Sequence, residues 1–321
     1  MPPGGRTKRM TNSALSCRIE LPDAFRRDDF LDFHRRDALR VAEHVSHDAL
    51  RKGLTWDRHP ACLSIQFHAR QAVVTLDVNG AVQINLDALQ SMSRRMLGLT
   101  QAIDDFEQHY RDHPLLGALI ANHPGLRVPL AATPFEALTW AITGQQISVS
   151  AALSVRRKFI QAAGVQHASG LWCYPDAHQL ATLDEATLRQ AGFSQTKART
   201  LMALAQGIQS GQLPLDQWIE TTPVDEILAQ LLQVRGIGPW TVNYALLRGF
   251  GYLDGSLHGD VAVRRKLQIL LGSVKPISEP LAQQWLTAFS PWRALVAAHL
   301  WAMPASDHFN GGTIVNTKSV N

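Results

Sequence analysis

The sequence predicts an α+β chain in which a small antiparallel sheet precedes a long all-helical region. Three observations carry this. Leu63, Ile65 and Phe67, then Val74, Leu76 and Val78, alternate with more polar positions, the period of strands with one buried face. After Pro114 the strand signals vanish and a helical period dominates to about residue 303. Within that region two helical runs are joined by Gly236-Ile237-Gly238. A chain of 321 residues is long enough for two domains. The expected division is a disordered tail over 1–16, an α/β domain over 17–113, a helical region over 114–304 and a polar tail over 305–321.

Taken in order, Phe30, Phe33 and the stretch from Asp37 to Val45 read as a strand or loop and then a helix. Asn79-Gly80 is a strong hairpin-turn signal, leading from the second alternating run into Val82, Ile84 and Leu86. Leu89 to His109 reads as helix. Thr133-Pro134-Phe135-Glu136 is an N-terminal signature: a capping Thr, Pro in the first turn and a Glu to close the box. That helix reaches Gly144-Gln145-Gln146-Ile147-Ser148, and others are expected over Ala151–Ala162, Gln195–Gln209 and Trp292–Met303.

The composition is that of a folded protein, 45% hydrophobic and 18% charged. Its net charge of +4 permits nucleic-acid binding without demonstrating it. There is no apolar run of membrane-spanning length, and the basic N-terminus lacks the apolar core of a signal peptide, so a cytoplasmic protein is expected. Cys17, Cys62 and Cys173 are too far apart for metal-ligand spacing.

The most informative stretch runs from Leu231 to Arg265. Ile227, Leu228, Leu231, Leu232 and Val234 recur at helical spacing, Gly236 and Gly238 break the helix, and Pro239 takes the first position of the next. Two helices joined by Gly-x-Gly form a helix-hairpin-helix. The glycines leave backbone N–H groups bare at a helix N-terminus, where the dipole favours a phosphate. An ordinary αα-corner has the same signature. Asp260 lies 20 residues beyond Trp240 (260 − 240), before a helical run from Val261 to Leu271. Alone it reads as an N-cap. Trp240 and Tyr244 share a helix face and alone read as core.

Together the hairpin, the Trp-Thr-Val-Asn-Tyr run and the Asp resemble the helix-hairpin-helix family of DNA base-excision glycosylases. Within it, Leu126-Arg-Val-Pro, Thr133 to Val149, and Pro291-Trp-Arg to Trp301 make the chain most similar to bacterial 3-methyladenine DNA glycosylase II. The resemblance implies an N-terminal domain like half of a TATA-binding protein, then helical glycosylase domains. It implies that Asp260 is catalytic and that Trp240, Tyr244 and Trp301 wall a base pocket. It also implies that Gly236, Ile237 and Gly238 grip phosphate, and that Gln145, Gln146 or Ile147 fills the gap left by an extruded nucleotide. Main-chain carbonyls of Leu232, Val234 and Ile237 would hold a Na+ or K+ ion. No other cofactor is implied. The iron–sulfur cluster of some relatives is excluded, since no cysteine follows Cys173.

The implied chemistry suits these residue types. A flipped alkylated purine is cationic and leaves readily, so it needs electron-rich faces more than a general acid. The oxocarbenium-like sugar needs a nearby carboxylate, and dipole and free N–H groups at a helix start favour that anion. Bifunctional glycosylase/lyases of this superfamily carry a Lys where this chain has Trp240, so a monofunctional enzyme leaving an abasic site is expected. The expected partner is damaged double-stranded DNA, and the expected state is a monomer off the membrane. A non-catalytic helix-hairpin-helix DNA-binding module, or a glycosylase for deaminated or mispaired purines, remains an alternative.

Overall fold

In the computed structural model, which describes residues 12–304, the alternating runs pair into a five-stranded antiparallel sheet of order β1-β5-β4-β3-β2. The strands are β1 (Ser13–Glu20), β2 (Glu43–Val45), β3 (Ala49–Trp56), β4 (His59–Phe67) and β5 (Gln71–Val78). Strands β2 to β5 form a meander, and β1 adds on the free side of β5, setting Cys17 opposite Val74 and Ile19 opposite Ala72. Side chains two apart share a face. Leu50, Leu54, Leu63, Ile65, Val74 and Leu76 accordingly enter one core with Phe30 and Leu31 of α1 (Arg27–Arg35) and Leu89, Met92 and Met96 of α2 (Leu86–Met96).

The remaining helices are α3 (Ile103–Tyr110), α4 (Leu116–Asn122), α5 (Pro134–Gly144), α6 (Val149–Ala163), α7 (Ala177–Ala181) and α8 (Glu185–Gln190). They continue as α9 (Gln195–Gln209), α10 (Leu215–Thr221), α11 (Val224–Leu232), α12 (Pro239–Ala245), α13 (Val261–Leu270), α14 (Glu279–Thr287) and α15 (Arg293–Ala302). A π-helical turn, Leu246–Phe250, extends α12. The chain divides into two compact units: residues up to Gln101 with Arg127–Tyr252, and Ala102–Leu126 with the segment from Leu253 onward. Among the described residues no helix is long and apolar enough to cross a membrane.

Four local expectations are corrected. Ser13–Ser16 are not tail but the start of β1, where the Ser16 and Thr75 hydroxyls meet at 2.8 Å; most of that tail and the residues after 304 lie outside the described residues. Residues 79–85 form no strand. Both edges of β5 are already paired, so Val82 and Ile84 pack on the core from a loop, and the Asn85 side chain caps α2. The helix near Phe30 lies at Arg27–Arg35, earlier than expected, and Asp37–Ala42 turns into β2. The helix expected over 89–109 is two, interrupted at Gly98. There φ is +70°, and a Cβ would approach Arg127 Cβ to 3.0 Å.

In the first unit α5 is the spine. Phe135, Leu138 and Ile142 join Phe159 and Ile160 of α6, Leu201 and Leu204 of α9, and Val242 and Leu246 beyond the hairpin. The sheet is tied to this helical core at two places. Gly53 lets the 172–174 segment approach: its carbonyl accepts the Tyr174 amide at 3.0 Å, and a Cβ there would fall 2.0 Å from the Trp172 oxygen. The second tie is ionic. Lys52, fully buried on β3 between Leu50 and Leu54, donates to Glu43 at 2.7 Å and to Glu136 of α5 at 2.6 Å. Arg156 of α6 lies 3.3 Å from both carboxylates, and His34 Nδ1 is 2.9 Å from Glu43. The expected capping box is therefore altered. Thr133 Oγ1 accepts the Glu136 amide, but Glu136 returns one oxygen to the Ala132 amide and gives the other to Lys52.

Burial alone would push both carboxyls up. Arg156 and Lys52 outweigh it, holding Glu43 well below and Glu136 below the usual carboxylate range. Burial lowers His34, against the pull of Glu43. Two acids and two bases thus balance around a histidine poised to stay neutral.

Removing Lys52 leaves two buried carboxylates facing one arginine. Lys52→Met should cost about 3–5 kcal/mol in urea unfolding, and adding Glu43→Gln should recover part of that loss. Recovery of nothing would show that packing, not charge, is at stake.

All three depressed groups act on stability with one sign. The unfolded chain binds protons more readily than the folded one, so stability is present at neutral pH and lost on acidification. The loss should begin as pH falls through the ordinary histidine range near ~6.5 and steepen below ~4.3, where unfolded carboxylates protonate. His34→Leu should abolish the upper part of that profile and leave the lower.

Candidate functional site

The hairpin forms as the spacing predicts, with α11 and α12 joined through residues 233–238. Its two glycines serve different ends. Gly236 has φ +93°, and a Cβ there would lie 2.0 Å from Thr200 Oγ1, so the residue is required by the inside of the fold. Gly238 has φ −102°, acceptable to any residue, and a Cβ would meet nothing within 4 Å. The side of Gly238 where a Cβ would stand is open, immediately before α12. The carbonyls of Leu232, Val234 and Ile237 belong to the same turn. They follow the negative end of the α11 dipole and offer the oxygen donors a hard cation takes. Val234 O also accepts the Ile237 amide at 3.0 Å.

One turn into α12, Trp240 and Tyr244 come together as their spacing requires, ring centroids 5.4 Å apart and planes 34° apart. Trp240 is half-buried and Tyr244 buried. Trp140 of α5 joins them, its Nε1–H donating to Tyr244 Oη at 3.0 Å. Arg36 lies 5.3 Å from the Trp140 ring and 4.0 Å from that of Phe33. Arg248 is also hydrogen-bonded to Tyr244, and burial pushes its guanidinium down to about 10. Sequence reasoning did not single out Trp140. Helix α5 is apolar nearly all round, so its periodicity marks no functional face.

The turn between α5 and α6 holds the three gap-filling candidates, and they are not equivalent. Gln145, at the C-cap of α5, is committed to the hairpin: its Nε2 donates to Gly236 O at 3.0 Å and Thr241 Oγ1 at 2.9 Å. Gln146 is exposed and has φ +57°, a left-handed conformation uncommon for a side-chain-bearing residue. Ile147 is 40% exposed and Val149 61% exposed, apolar side chains presented at the same tip. Ser148 begins α6, its Oγ accepting the Ala151 amide.

Asp260 and Trp301 lie in the second unit, and the structure brings them together. Asp260 is the N-cap of α13, its Oδ1 accepting the Val263 amide at 3.0 Å. The same oxygen accepts the Trp301 indole N–H from α15 at 3.3 Å. Lys266 of α13 in turn donates to Met303 O at the end of α15. The segment leading to Asp260 is anchored by Asp254, which accepts Arg293 Nε at 2.8 Å, Arg293 Nη2 at 3.0 Å and Ser290 Oγ at 2.9 Å. No local spacing marks Asp254 or Arg293, which lie 39 residues apart.

Comparison with known proteins identifies two family domains in the chain. Residues 139–289 match the HhH-GPD superfamily of base excision DNA repair proteins, and residues 17–133 match the AlkA N-terminal domain. The DNA-3-methyladenine glycosylase 2 of Escherichia coli is 31% identical over 190 residues, 58% of this chain and 63% of that protein. The DNA-3-methyladenine glycosylase of Bacillus subtilis is 26% identical over 206 residues, 63% of this chain and 68% of that one. The solved 3-methyladenine DNA-glycosylase of Archaeoglobus fulgidus shares the fold with a TM-score of 0.76 at 21% identity, over 89% of this chain and 97% of that chain. The chain thus carries an HhH-GPD domain of the base excision DNA repair superfamily over residues 139–289, preceded by an AlkA N-terminal domain over residues 17–133.

The two hairpin glycines should separate under mutation. Gly236→Ala should lower the melting temperature, because the left-handed backbone alone costs about 1–2 kcal/mol and Thr200 must also move. Gly238→Val should leave melting unchanged and weaken binding to all duplexes alike, with a shallower salt dependence as phosphate contacts are lost. Equal melting temperatures for the two variants would contradict the division of roles.

Proposed function

We propose that the chain is a monofunctional DNA glycosylase of base-excision repair that extrudes alkylated purines such as 3-methyladenine and hydrolyses their N-glycosidic bond. The observation that carries this is the Asp260 carboxylate, fixed at a helix start by a backbone amide and the Trp301 indole, in a chain that also builds the hairpin. In the reaction the C1′–N bond breaks, the base departs with the bonding electron pair, and the sugar becomes oxocarbenium-like. Asp260 stabilises that cation and aligns the water whose oxygen bonds to C1′; the water's proton passes through the carboxylate to solvent. Trp240, Tyr244 and Trp301 supply aromatic faces for a cationic base. The turn Gly236-Ile237-Gly238, with the N–H groups that follow Pro239 at the start of α12, holds a phosphate, and main-chain oxygens of Leu232, Val234 and Ile237 suit a monovalent cation that would neutralise charge beside it. Gln146, with Ile147 beside it, fills the gap in the duplex.

The assignment as monofunctional rests on the amines. Trp240 takes the lyase-lysine position. Lys197 donates to Thr143 O and Gln145 O, and Lys266 to Met303 O and Pro304 O. Borohydride should therefore trap no covalent enzyme–DNA adduct, and the product strand should stay intact until alkali is added. A trapped adduct would overturn this part of the proposal.

Asp260→Asn is the decisive variant. The Val263 amide and the Trp301 indole both donate to Oδ1, and an amide oxygen can accept them, so the cap and the tie to Trp301 persist. What is lost is a negative charge, worth roughly 4 kcal/mol against a cation about 4 Å away at an effective dielectric near 20. That is on the order of a thousandfold in rate. Free 3-methyladenine released from methylated duplex should fall by that factor, with affinity for the duplex retained. Near-parental release would reduce Asp260 to a cap, and no release by either protein would leave only a DNA grip.

A further inference from the structure

Lys197, on the first turn of α9, meets the end of the spine helix. Its Nζ donates to Thr143 O at 2.8 Å and Gln145 O at 2.7 Å, the orphan carbonyls at the C-terminus of α5. A side chain three residues later on the same helix, Thr200, donates to Arg235 O at 3.0 Å in the hairpin loop and fills the space beside Gly236. Gln145 closes the third side by donating to Gly236 O and Thr241 Oγ1. The two residues beyond Gln145 are Gln146, held at φ +57°, and the exposed Ile147, before α6 begins.

A lysine amine is an expensive way to cap a helix if capping is the only need. Burial lowers its proton affinity, and no carboxylate stands among its hydrogen-bond partners. The geometry suits a different demand. A left-handed residue at an exposed tip persists only where its flanks are over-determined. Ser148 fixes the far flank by capping α6, and Lys197 with Gln145 fixes the near one. We propose that Lys197 is a positioning residue. With Gln145 and Thr200 it clamps the 145–147 tip to the phosphate-gripping hairpin, so that holding the strand and filling the gap occur in one fixed register. The proposal rests on the glycosylase reading and assigns Lys197 no contact with DNA.

The test combines exchange and kinetics on the full chain. In Lys197→Met, amide hydrogen exchange should speed up in peptides covering residues 143–149 and not elsewhere. Single-turnover release of 7-methylguanine from dimethyl-sulfate-treated duplex should fall on the order of a hundredfold, the scale of an ångström of misplacement. Affinity for undamaged duplex should be retained. Lys197→Cys alkylated with bromoethylamine rebuilds a near-isosteric amine and should restore both readouts; the three native cysteines are buried and shielded from the reagent in the folded protein.

Either effect without the other overturns the clamp. So does an exchange increase spread over the whole chain with parallel loss of undamaged-duplex binding, which would make Lys197 an ordinary structural cap. Failure of the rebuilt amine to restore activity overturns it too. If the parent chain releases no methylated base, the glycosylase reading fails, and the exchange data alone then judge the clamp.

Discussion

The ion cluster at the start of α5 is the constraint on which the first unit depends. Glu136 has three tasks at once: its backbone amide binds the Thr133 cap, one carboxylate oxygen takes the Ala132 amide, and the other takes Lys52 from the sheet. Desolvating four charged groups is costly, and an apolar cluster of the same shape would stabilise a fold as well. What a buried ion pair adds is a demand for one register, because a slip of one residue would leave Lys52 facing no carboxylate. The strand β3 and the helix α5 are 84 residues apart in sequence at this bond. Nine residues beyond Glu136 (145 − 136), at the C-cap of the same helix, stands Gln145, so the register set by the cluster is carried along a rigid rod to the tip.

The hairpin shows how one sequence signature contains two physical requirements. Gly-x-Gly invites a single explanation, yet Gly236 is constrained from within by Thr200 and a left-handed backbone, and Gly238 by nothing in the protein. An open volume immediately before a helix, with no internal reason for it, points to something that approaches from outside. Phosphate is the group whose charge and size fit bare amides at a helix start. The neighbouring Gln145 amide and Thr200 hydroxyl both bind carbonyls of this loop, so its shape exists before any ligand arrives.

How much of this could be read from the sequence depended on whether a feature is local. Alternation along Leu63–Phe67 and Val74–Val78, the Thr133 cap, the hairpin and the Asp260 cap are all decided within a few residues, and each formed where expected. The failures were tertiary. Asn79-Gly80 is a sound hairpin signal that leads nowhere, because β1 had already taken the edge of β5. Leu89 to His109 keeps one helical period through Gly98, whose left-handed turn brings it against Arg127, a residue far along the chain. Lys52 gave no sign of being buried, since a lysine between two leucines on a strand usually reaches solvent. Trp140, Lys197 and Asp254 act through partners 36 to 104 residues away, a distance no spacing rule covers.

Asp260 illustrates why a structural reading and a catalytic one need not compete. A cap must stand at a helix start, with oxygens among unsatisfied amides. A carboxylate meant to face a developing cation has to resist swinging away to solvent, and it must hold its negative charge. The cap supplies both, since the amide of Val263 and the indole of Trp301 hold the carboxylate at the helix start through Oδ1. No separate acid is needed for a base that already carries positive charge, because its departure neutralises the base rather than creating an anion. The same logic sets the limit on substrates. A neutral purine must leave with a proton or as an anion, which the carboxylate role proposed for Asp260 would assist less, so under that proposal selection falls largely to the leaving group's own chemistry.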